Sequence, residues 1–399
     1  MLNTIVPHNE RVGYYLVNNQ KFDNKWDAML TATAENTDYS WYFAPEIFDK
    51  IDWSVPVEAS LDSLYALRLQ QLRNKYEHLV LFFSGGKDSL NILMTAINNN
   101  ILLDEIVVFY PFAMEKFFNN VELDSDNVYS EVEYAAKPIL KSLESRLDPR
   151  TKIRFQDNGE TNNRFHSLDD WFDQIRPANT LQMVSPSYGG AFDPELIKLA
   201  LQCKNVGVII GADKPGVHEV EGSYYFKFMD VAFNTIPRPK SKEMKAQYEY
   251  ISYEAFYITP DLPQLVVKQA QTIAKALDVD PVLRRTQRNS FPLDMTKEEV
   301  SSVISALMSE RERIMAKYLY SDGIYPWQTN KHKKHLYRRG EKVVWQTANN
   351  AIKDNYWNGV SSVVNKIDKK FFSWGDYTLG PIPRFSKPYF LKHIAYKDI

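Results

Sequence analysis

The sequence predicts an α/β fold with a doubly wound, mainly parallel five-stranded sheet, flanking helices and a helical C-terminal region. Between residues 58 and 235, short apolar runs typical of strands buried on both faces alternate with longer stretches in which apolar residues recur at helical spacing. Beyond residue 235 the helical spacing dominates. The 399 residues are 44% hydrophobic and 25% charged, which is ordinary for a globular protein and excludes a mostly disordered chain.

Four strands of the sheet are predicted, the clearest being the continuous apolar run Leu79–Phe83, and they alternate with helical patterns. They are Leu79–Phe83, Glu105–Tyr110, Lys152–Phe155 and Val206–Ile210. Tyr224–Val231 is predicted as an added hairpin or edge strand, and Val12–Val17 as a short strand near the N-terminus. The alternation of strands with helices predicts the parallel sheet.

Helices are predicted from apolar spacing together with proline and capping-box signals. The predicted helices span 24–34, 58–76, 88–99, 129–147, 193–203, 242–256, 263–277, 296–318 and 343–368. Pro138 is expected to kink the helix 129–147. Residues 371–399 carry scattered Gly and Pro, so an extended segment lying over the body of the chain is expected there.

These patterns divide the chain into four parts. They are an N-terminal accessory segment at 1–57, an α/β domain at 58–235, a helical region at 236–320 and a basic, aromatic C-terminal tail at 321–399. The charge is unevenly distributed among them. Residues 331–399 hold 14 basic and 5 acidic residues, a net charge of +9, whereas the preceding 330 residues have a net charge of −11.

Composition also excludes several classes of site and location. The single cysteine, Cys203, can form neither an intramolecular disulfide nor a metal site that needs several thiolates, and it is expected to be a buried structural thiol. No apolar run approaches 18 residues and the first residues do not resemble a secretory signal. We therefore expect no membrane partner and a cytoplasmic location.

The segment Leu79–Leu90, LVLFFSGGKDSL, carries the clearest chemical signal. An apolar strand ends in Ser84-Gly85-Gly86-Lys87-Asp88-Ser89, and a helix begins at once. Two glycines permit a sharp turn, and successive N–H groups beside a helix N-terminus favour a phosphate or pyrophosphate. The two serines add hydroxyl donors, Lys87 adds positive charge, and Asp88 suits Mg2+ held against the phosphates. The alternative is a Ser/Gly turn without function.

A second loop follows the fourth predicted strand at the same edge of the sheet. Gly211-Ala212-Asp213-Lys214 comes directly after Val206–Ile210. Since the carboxyl ends of parallel strands meet near a topological switch, Asp213 and Asp88 are predicted to share one or two Mg2+ ions. Lys214 is predicted to stabilise the α-phosphate or the leaving pyrophosphate. The alternative is a surface turn with solvated charges.

The loop Ser84–Ser89 resembles the SGGxDS motif of the PP-loop superfamily, the N-type ATP pyrophosphatases. The resemblance implies an enzyme that binds ATP and Mg2+, cleaves ATP to AMP and pyrophosphate, and adenylates an acceptor. Over about residues 60–230 the order of motifs is similar to the synthetase domain of asparagine synthetase, which implies activation of a carboxylate or nucleobase for amidation or ligation. The family usually seats the adenine at the end of the second strand, where Phe109 stands; a plain core aromatic is the alternative.

Two departures from asparagine synthetase, together with the position of the single cysteine, limit what the resemblance implies. Lys214 stands where that family has Glu. The chain begins Met1-Leu2-Asn3, without the exposed cysteine of a glutaminase domain, so the nitrogen is expected from ammonia, an amine or a partner. Cys203 precedes a buried strand, which argues against the sulfur-transferring members.

A basic stretch at 331–342, with six Lys and Arg residues and an interleaved Tyr337, leaves the partner open. It suits a nucleic-acid backbone, so an enzyme that modifies nucleic acid or nucleosides (a tRNA or a 7-deazaguanine) by the same ATP chemistry is an alternative function. It equally suits a solvated loop, an arm over ATP, or an arm packed on the acidic body. A non-catalytic nucleotide-binding protein is the remaining alternative.

Overall fold

The computed structural model describes residues 12–110, 112, 132–157, 167, 193–202, 204–211, 216–230, 250–285, 314–320, 350–375 and 378–395. Its strands are β1 Tyr14–Val17, β2 Gln20–Phe22, β3 Ser40–Tyr42, β4 His78–Phe82, β5 Glu105–Phe109, β6 Lys152–Gln156, β7 Val206–Ile210, β8 Val217–Val220, β9 Ser223–Phe226, β10 Ile251–Ala255, β11 Phe372–Gly375, β12 Thr378–Pro381 and β13 Tyr389–His393. Its helices are α1 Lys25–Ala34, α2 Pro45–Phe48, α3 Leu61–Lys75, α4 Lys87–Asn98, α5 Lys137–Leu143, α6 Pro194–Leu201, α7 Pro263–Val279, α8 Pro281–Arg285 and α9 Asn350–Val364. Within these ranges no helix combines the length and apolar character that crossing a bilayer requires.

The central sheet confirms the predicted α/β fold. It has five strands, all parallel, in the order β10–β7–β4–β5–β6. From β4 the chain continues to β5 and β6 on one side, and then returns past β4 to add β7 and β10 on the other. The order therefore reverses between β4 and β7, and open α/β sheets bind ligands in the crevice at such a reversal.

The strand β10 corrects the sequence analysis. Residues 251–255 fall within the predicted helix 242–256, yet they form a parallel strand beside β7. The error has a physical reason, because Glu254 is only 3% exposed and its carboxylate pairs with Arg68 at 2.9 Å and with Lys75 at 2.7 Å. In the sequence, a glutamate at this position indicates the solvent-exposed side of a helix, because the cations of α3 that pair with it cannot be inferred from the local pattern.

The predicted helix 129–147 is divided into three short pieces where the structure describes it. A π-helical turn, Val132–Ala136, leads into α5, and a 3-10 turn follows at Glu144–Arg146. Pro138 lies in the first turn of α5. Proline is tolerated there because its missing N–H would have no partner within the helix in any case.

Helix α6 is attached to the sheet by a buried acid that also begins the helix. Asp193 caps α6 by accepting a hydrogen bond from the Glu195 nitrogen at 3.1 Å. Its two carboxylate oxygens also accept from Arg154 of β6 at 2.9 and 2.6 Å. Burial raises the pKa of Asp193, although the Arg154 guanidinium opposes that shift. The paired charge therefore fixes α6 to β6.

The predicted hairpin or edge strand Tyr224–Val231 overlaps β9, which forms a hairpin with β8 outside the central sheet, and Val231 lies outside the described residues. β8 and β9 are joined through Glu221 (φ 47°) and Gly222 (φ 72°), as expected of a type I′ turn. β9 also pairs with β13, so the C-terminal segment completes this antiparallel sheet. Of the segment 371–399, which the sequence predicts as extended, the described residues form the antiparallel pair β11–β12 and the strand β13.

Basic residues of this C-terminal segment pair with acidic residues from earlier in the chain. The pairs are Arg384–Asp38 at 2.7 Å, Lys387–Asp49 at 2.8 Å and Lys392–Asp278. Part of the positive charge of the tail is therefore neutralised within the molecule. The basic stretch 331–342 lies outside the described residues, as does Cys203.

A fully buried ion pair joins the N-terminal segment to the rest of the molecule. Lys25 Nζ lies 2.7 Å from Asp230 Oδ2, and both side chains are 0% exposed. Asp230 also accepts from the Tyr15 hydroxyl at 2.9 Å and from the Arg384 nitrogen at 3.0 Å. Lys25 also donates to the Ile382 carbonyl at 2.7 Å. Three distant parts of the chain therefore meet at one pair of charges.

Lys25→Met is expected to lower the free energy of unfolding by about 3–5 kcal/mol, because it leaves a carboxylate buried without its cationic partner. The control is Lys387→Met, since the Lys387–Asp49 pair is similarly short but its side chains are 55% and 35% exposed. That change should cost less than about 1 kcal/mol. Denaturant unfolding of both variants measures the difference, and equal losses would contradict a structural role for the buried pair.

Candidate functional site

The predicted functional loop lies where the strand order reverses. Ser84–Ser89 joins the carboxyl end of β4 to the start of α4, and Gly211 follows the carboxyl end of β7. A Cβ placed on Gly211 would lie 3.1 Å from the Ser89 nitrogen and 3.2 Å from the Asp88 carbonyl carbon. The structure thus brings these sequence-predicted residues together, and a side chain at position 211 would press on the first turn of α4.

Gly85 determines the shape of the loop. Its φ is +72°, a left-handed conformation that favours glycine. A Cβ at this position would lie 2.6 Å from the Ala136 nitrogen and 2.9 Å from the Ala136 Cα. The loop is therefore wedged against the π-helical turn Val132–Ala136, and such turns occur frequently at functional sites.

The two serines hydrogen-bond to the loop itself. The Gly86 nitrogen donates to Ser84 Oγ at 3.2 Å, and the Ser84 nitrogen donates to Ser89 Oγ at 3.3 Å. Ser89 is buried and its hydroxyl donates to the Gly86 carbonyl at 3.1 Å, whereas Ser84 is exposed. Ser89 thus stabilises the turn from within, while Ser84 faces solvent at the end of β4.

The N-terminus of α4 provides positive potential at this loop. Gly86 is the N-cap residue and has no side chain that could cap the helix, so the cap makes no side-chain hydrogen bond. N–H groups in the first turn of a helix lack intrahelical partners, and the helix dipole is positive at that end. Lys87, the first residue of α4, adds a formal positive charge. This combination suits a phosphate.

Asp88 is held by two tyrosines that the sequence analysis missed. The Tyr320 hydroxyl donates to Asp88 Oδ1 at 2.5 Å, and the Tyr257 hydroxyl donates to the Asp88 carbonyl at 2.7 Å. Burial, and then the charge of Asp88, raises the pKa of each tyrosine well above its usual range. Both hydroxyls therefore remain protonated donors at physiological pH. No local signal in the sequence connects positions 88, 257 and 320.

A charged pair on the other side of the loop was also missed. Lys137 Nζ pairs with Glu133 Oε1, and Tyr110 donates its hydroxyl to the same oxygen at 2.8 Å. Glu133 stands in the π-helical turn that packs on Gly85. Its spacing of four residues from Lys137 is a sequence signal that could have identified the pair. The pair is 30% and 39% exposed, so it places charge beside the loop and within reach of solvent.

Phe109 lies at the carboxyl end of β5, but its ring belongs to the core. It is 8% exposed and packs edge-to-face on Phe82, with ring centroids 4.7 Å apart. Phe112, 45% exposed, lies beside Tyr110 with a centroid distance of 5.0 Å. Among the described residues that follow β5, the aromatic exposed to solvent is therefore Phe112, and a role for Phe109 toward an adenine stays a prediction.

The described residues include part of the predicted site for a nucleotide and its metal ion. Asp213 and Lys214 lie outside them, so the predicted pair of carboxylates is reduced to Asp88. Over the described ranges, no group of three or more His, Cys, Asp or Glu residues could hold a metal ion unaided. Mg2+ usually binds through one or two carboxylates together with substrate phosphates. Asp88 beside an uncapped helix N-terminus matches that donor set, so a metal here would depend on the phosphates.

Gly85→Ala is expected to destabilise the protein more than Gly222→Ala, although both glycines have a φ of +72°. Strain from positive φ is common to the two and costs about 1–2 kcal/mol. At Gly222 nothing lies within 4 Å of the new Cβ, whereas at Gly85 it meets the Ala136 backbone at 2.6 Å. Denaturant unfolding should therefore show a clearly larger loss for Gly85→Ala. Equal losses would contradict the close packing of the loop on the π-helical turn.

Comparison with known proteins finds no match to a family model, to a curated protein or to a solved structure. The function is accordingly argued from the residues of this site and from their arrangement.

Proposed function

We propose that this protein is an ATP-dependent adenylating enzyme that cleaves ATP to AMP and pyrophosphate and thereby activates a carboxylate or nucleobase for amidation or ligation. The observation that carries the proposal is the position of the SGGKDS loop. It connects β4 to α4 at the reversal of strand order, with Gly211 of the neighbouring strand packed against it. ATP chemistry of this kind also favours a cytoplasmic location, which forms part of the same proposal.

The proposed roles follow from residue type and place. The backbone of Gly85 and Gly86, with the hydroxyl of Ser84, binds the pyrophosphate portion at the positive end of α4, and the Gly86 N–H exchanges its hydrogen bond to Ser84 Oγ for one to a phosphate oxygen. Lys87 balances the charge of the phosphates, and this charge grows on the leaving pyrophosphate as the α–β bond breaks. Ser89 keeps the loop in its turn, since its hydroxyl is directed at the Gly86 carbonyl.

Asp88 has the role of metal ligand in this proposal. Mg2+ would neutralise phosphate charge and orient the phosphates for in-line displacement. The carboxylate of Asp88 would hold it, together with Asp213 as expected from the sequence. Lys214 would stabilise the α-phosphate from the same loop. The acceptor is proposed to be a small molecule or a nucleobase that attacks the α-phosphorus and displaces pyrophosphate.

Incubation of the full chain with ATP, Mg2+ and a panel of acceptors (amino acids, 7-deazapurines and RNA) is expected to yield AMP and pyrophosphate in equal amounts. Asp88→Asn should lower the rate at least about 100-fold, because metal-assisted charge stabilisation supplies several kcal/mol. Asp148→Asn is the matched control. Asp148 forms an ion pair with Arg150 at 2.7 Å and precedes β6, whereas the loop follows the carboxyl end of β4. Its rate should equal that of the wild type.

Three outcomes would contradict parts of this proposal. Formation of ADP and phosphate would exclude cleavage between the α and β phosphates. Binding of ATP without turnover on any acceptor would favour the non-catalytic nucleotide-binding alternative. Equal loss of activity in Asp88→Asn and Asp148→Asn would remove Asp88 from the metal site.

A second candidate is an enzyme that uses this chemistry on RNA. Tyr320, whose hydroxyl binds Asp88, precedes the basic stretch 331–342 by eleven residues. An extended chain of that length spans at most about 36–40 Å, so Lys331, the first of the basic residues, is tethered within that distance of Tyr320. A phosphate backbone bound there would lie within reach of the nucleotide site.

Charge neutralisation tests this second candidate. Replacing the six Lys and Arg residues of 331–342 by Gln is expected to weaken binding of a transfer-RNA-sized RNA and to flatten its dependence on salt. The control is Gln at Arg384, Lys387 and Lys392, whose charges are paired within the chain. Absence of RNA binding by the wild type at low salt would exclude RNA as the partner, and so would equal effects of the two replacements.

A further inference from the structure

Three tyrosines from distant parts of the chain form a buried cluster, and two of them contact Asp88 of the loop. Tyr65 lies in α3, Tyr257 follows β10, and Tyr320 ends the helical segment 314–319. Their ring centroids lie 5.6 to 6.2 Å apart, and the residues are 1%, 0% and 9% exposed. A buried tyrosine needs a partner for its hydroxyl, because leaving it unsatisfied is costly.

Two of the three hydroxyls act on Asp88. Tyr320 donates to the carboxylate at Oδ1, 2.5 Å away, while Tyr257 donates to the backbone carbonyl of the same residue at 2.7 Å. Asn91 in turn donates to the Tyr257 hydroxyl at 3.1 Å. The side chain and the backbone of Asp88 are therefore each fixed by a donor that is itself locked by packing.

The third hydroxyl fixes the segment that carries Tyr320. Tyr65 donates to the Leu319 carbonyl at 3.1 Å, and the neighbouring Tyr318 donates to Asp280 at 2.9 Å. Residues 318–320 thus have anchors on three different elements. Tyr320 has little freedom to move away from Asp88, so the direction of that carboxylate is defined by the fold rather than by the loop.

We propose that Tyr320 is a positioning residue of the nucleotide site, whose hydroxyl holds the Asp88 carboxylate in the direction that Mg2+–ATP requires. This inference rests on the proposed function, because it assigns Asp88 to the metal. A hydrogen bond from a neutral donor to one oxygen restricts rotation of the carboxylate. The helical segment 314–320, far from the loop in sequence, thereby becomes part of the site.

Tyr320→Phe tests the proposal, since it removes the hydroxyl and keeps the ring in the tyrosine cluster. Tyr318→Phe is the matched control, because it removes a tyrosine–carboxylate hydrogen bond from the same segment without touching Asp88. ATP is titrated calorimetrically into each full-length protein at increasing Mg2+ concentrations. Tyr320→Phe should raise the Mg2+ concentration that gives half-maximal ATP affinity about tenfold, the effect expected from losing one hydrogen bond to a charged group. Tyr318→Phe should change it less than about twofold.

A double-mutant cycle of Tyr320→Phe with Asp88→Asn provides a readout without nucleotide. Coupling of at least about fivefold in the unfolding equilibrium supports the contact, and additive effects overturn it. Equal shifts of the Mg2+ dependence in Tyr320→Phe and Tyr318→Phe would show that Tyr320 has only a structural role. That result would overturn the positioning role and leave the proposed function standing. Absence of Mg2+-dependent ATP binding by the wild type would overturn both this inference and the proposed function.

Discussion

The arrangement of the molecule depends on one constraint, the parallel pairing of β4 with β7 in the middle of the central sheet. Their registered pairing runs from His78 opposite Val206 to Phe82 opposite Ile210, so both strands end at the same level. The chain leaves β4 toward β5 on one side of the sheet and leaves β7 toward β10 on the other side. The loops that follow β4 and β7 therefore border an open crevice. Chemistry at this edge therefore draws on whatever side chains these two loops and their neighbours carry.

A glycine in β7 lets an aromatic ring lie directly on that strand. A Cβ on Gly207 in the middle of β7 would lie 2.2 Å from the Tyr76 ring, which covers that strand. Tyr76 in turn donates its hydroxyl to Glu254 of β10, and Arg68 pairs with the same carboxylate. The end of α3 can therefore approach the sheet closely. Arg68 and Lys75 of this helix then neutralise Glu254, which allows the glutamate to be buried in the sheet. Close approach and charge pairing together extend the sheet from β7 to β10.

Most of the central sheet could be predicted from the sequence, because β4, β5 and β7 are continuous apolar runs that only burial on both faces explains. The strand β10 could not, since Glu254 is neutralised by Arg68 and Lys75, and pairings between distant residues leave no local pattern. The candidate site divides in the same way. Ser84–Ser89 is contiguous, so its chemistry was visible at once, whereas Tyr257 and Tyr320 act on Asp88 from positions 169 and 232 residues away.

The two flanks of the loop differ in how far their side chains are exposed to solvent. On the β10 side, Tyr257 and Tyr320 are buried, so they can set the conformation of Asp88 but present little surface to a ligand. On the β5 side, Glu133 and Lys137 are partly exposed, and the π-helical turn that carries Glu133 packs directly on Gly85. Under the proposed function, an acceptor would meet these charges without disturbing the tyrosines. The groups that fix the conformation of Asp88 therefore lie on the buried flank, and the accessible charges lie on the flank that faces solvent.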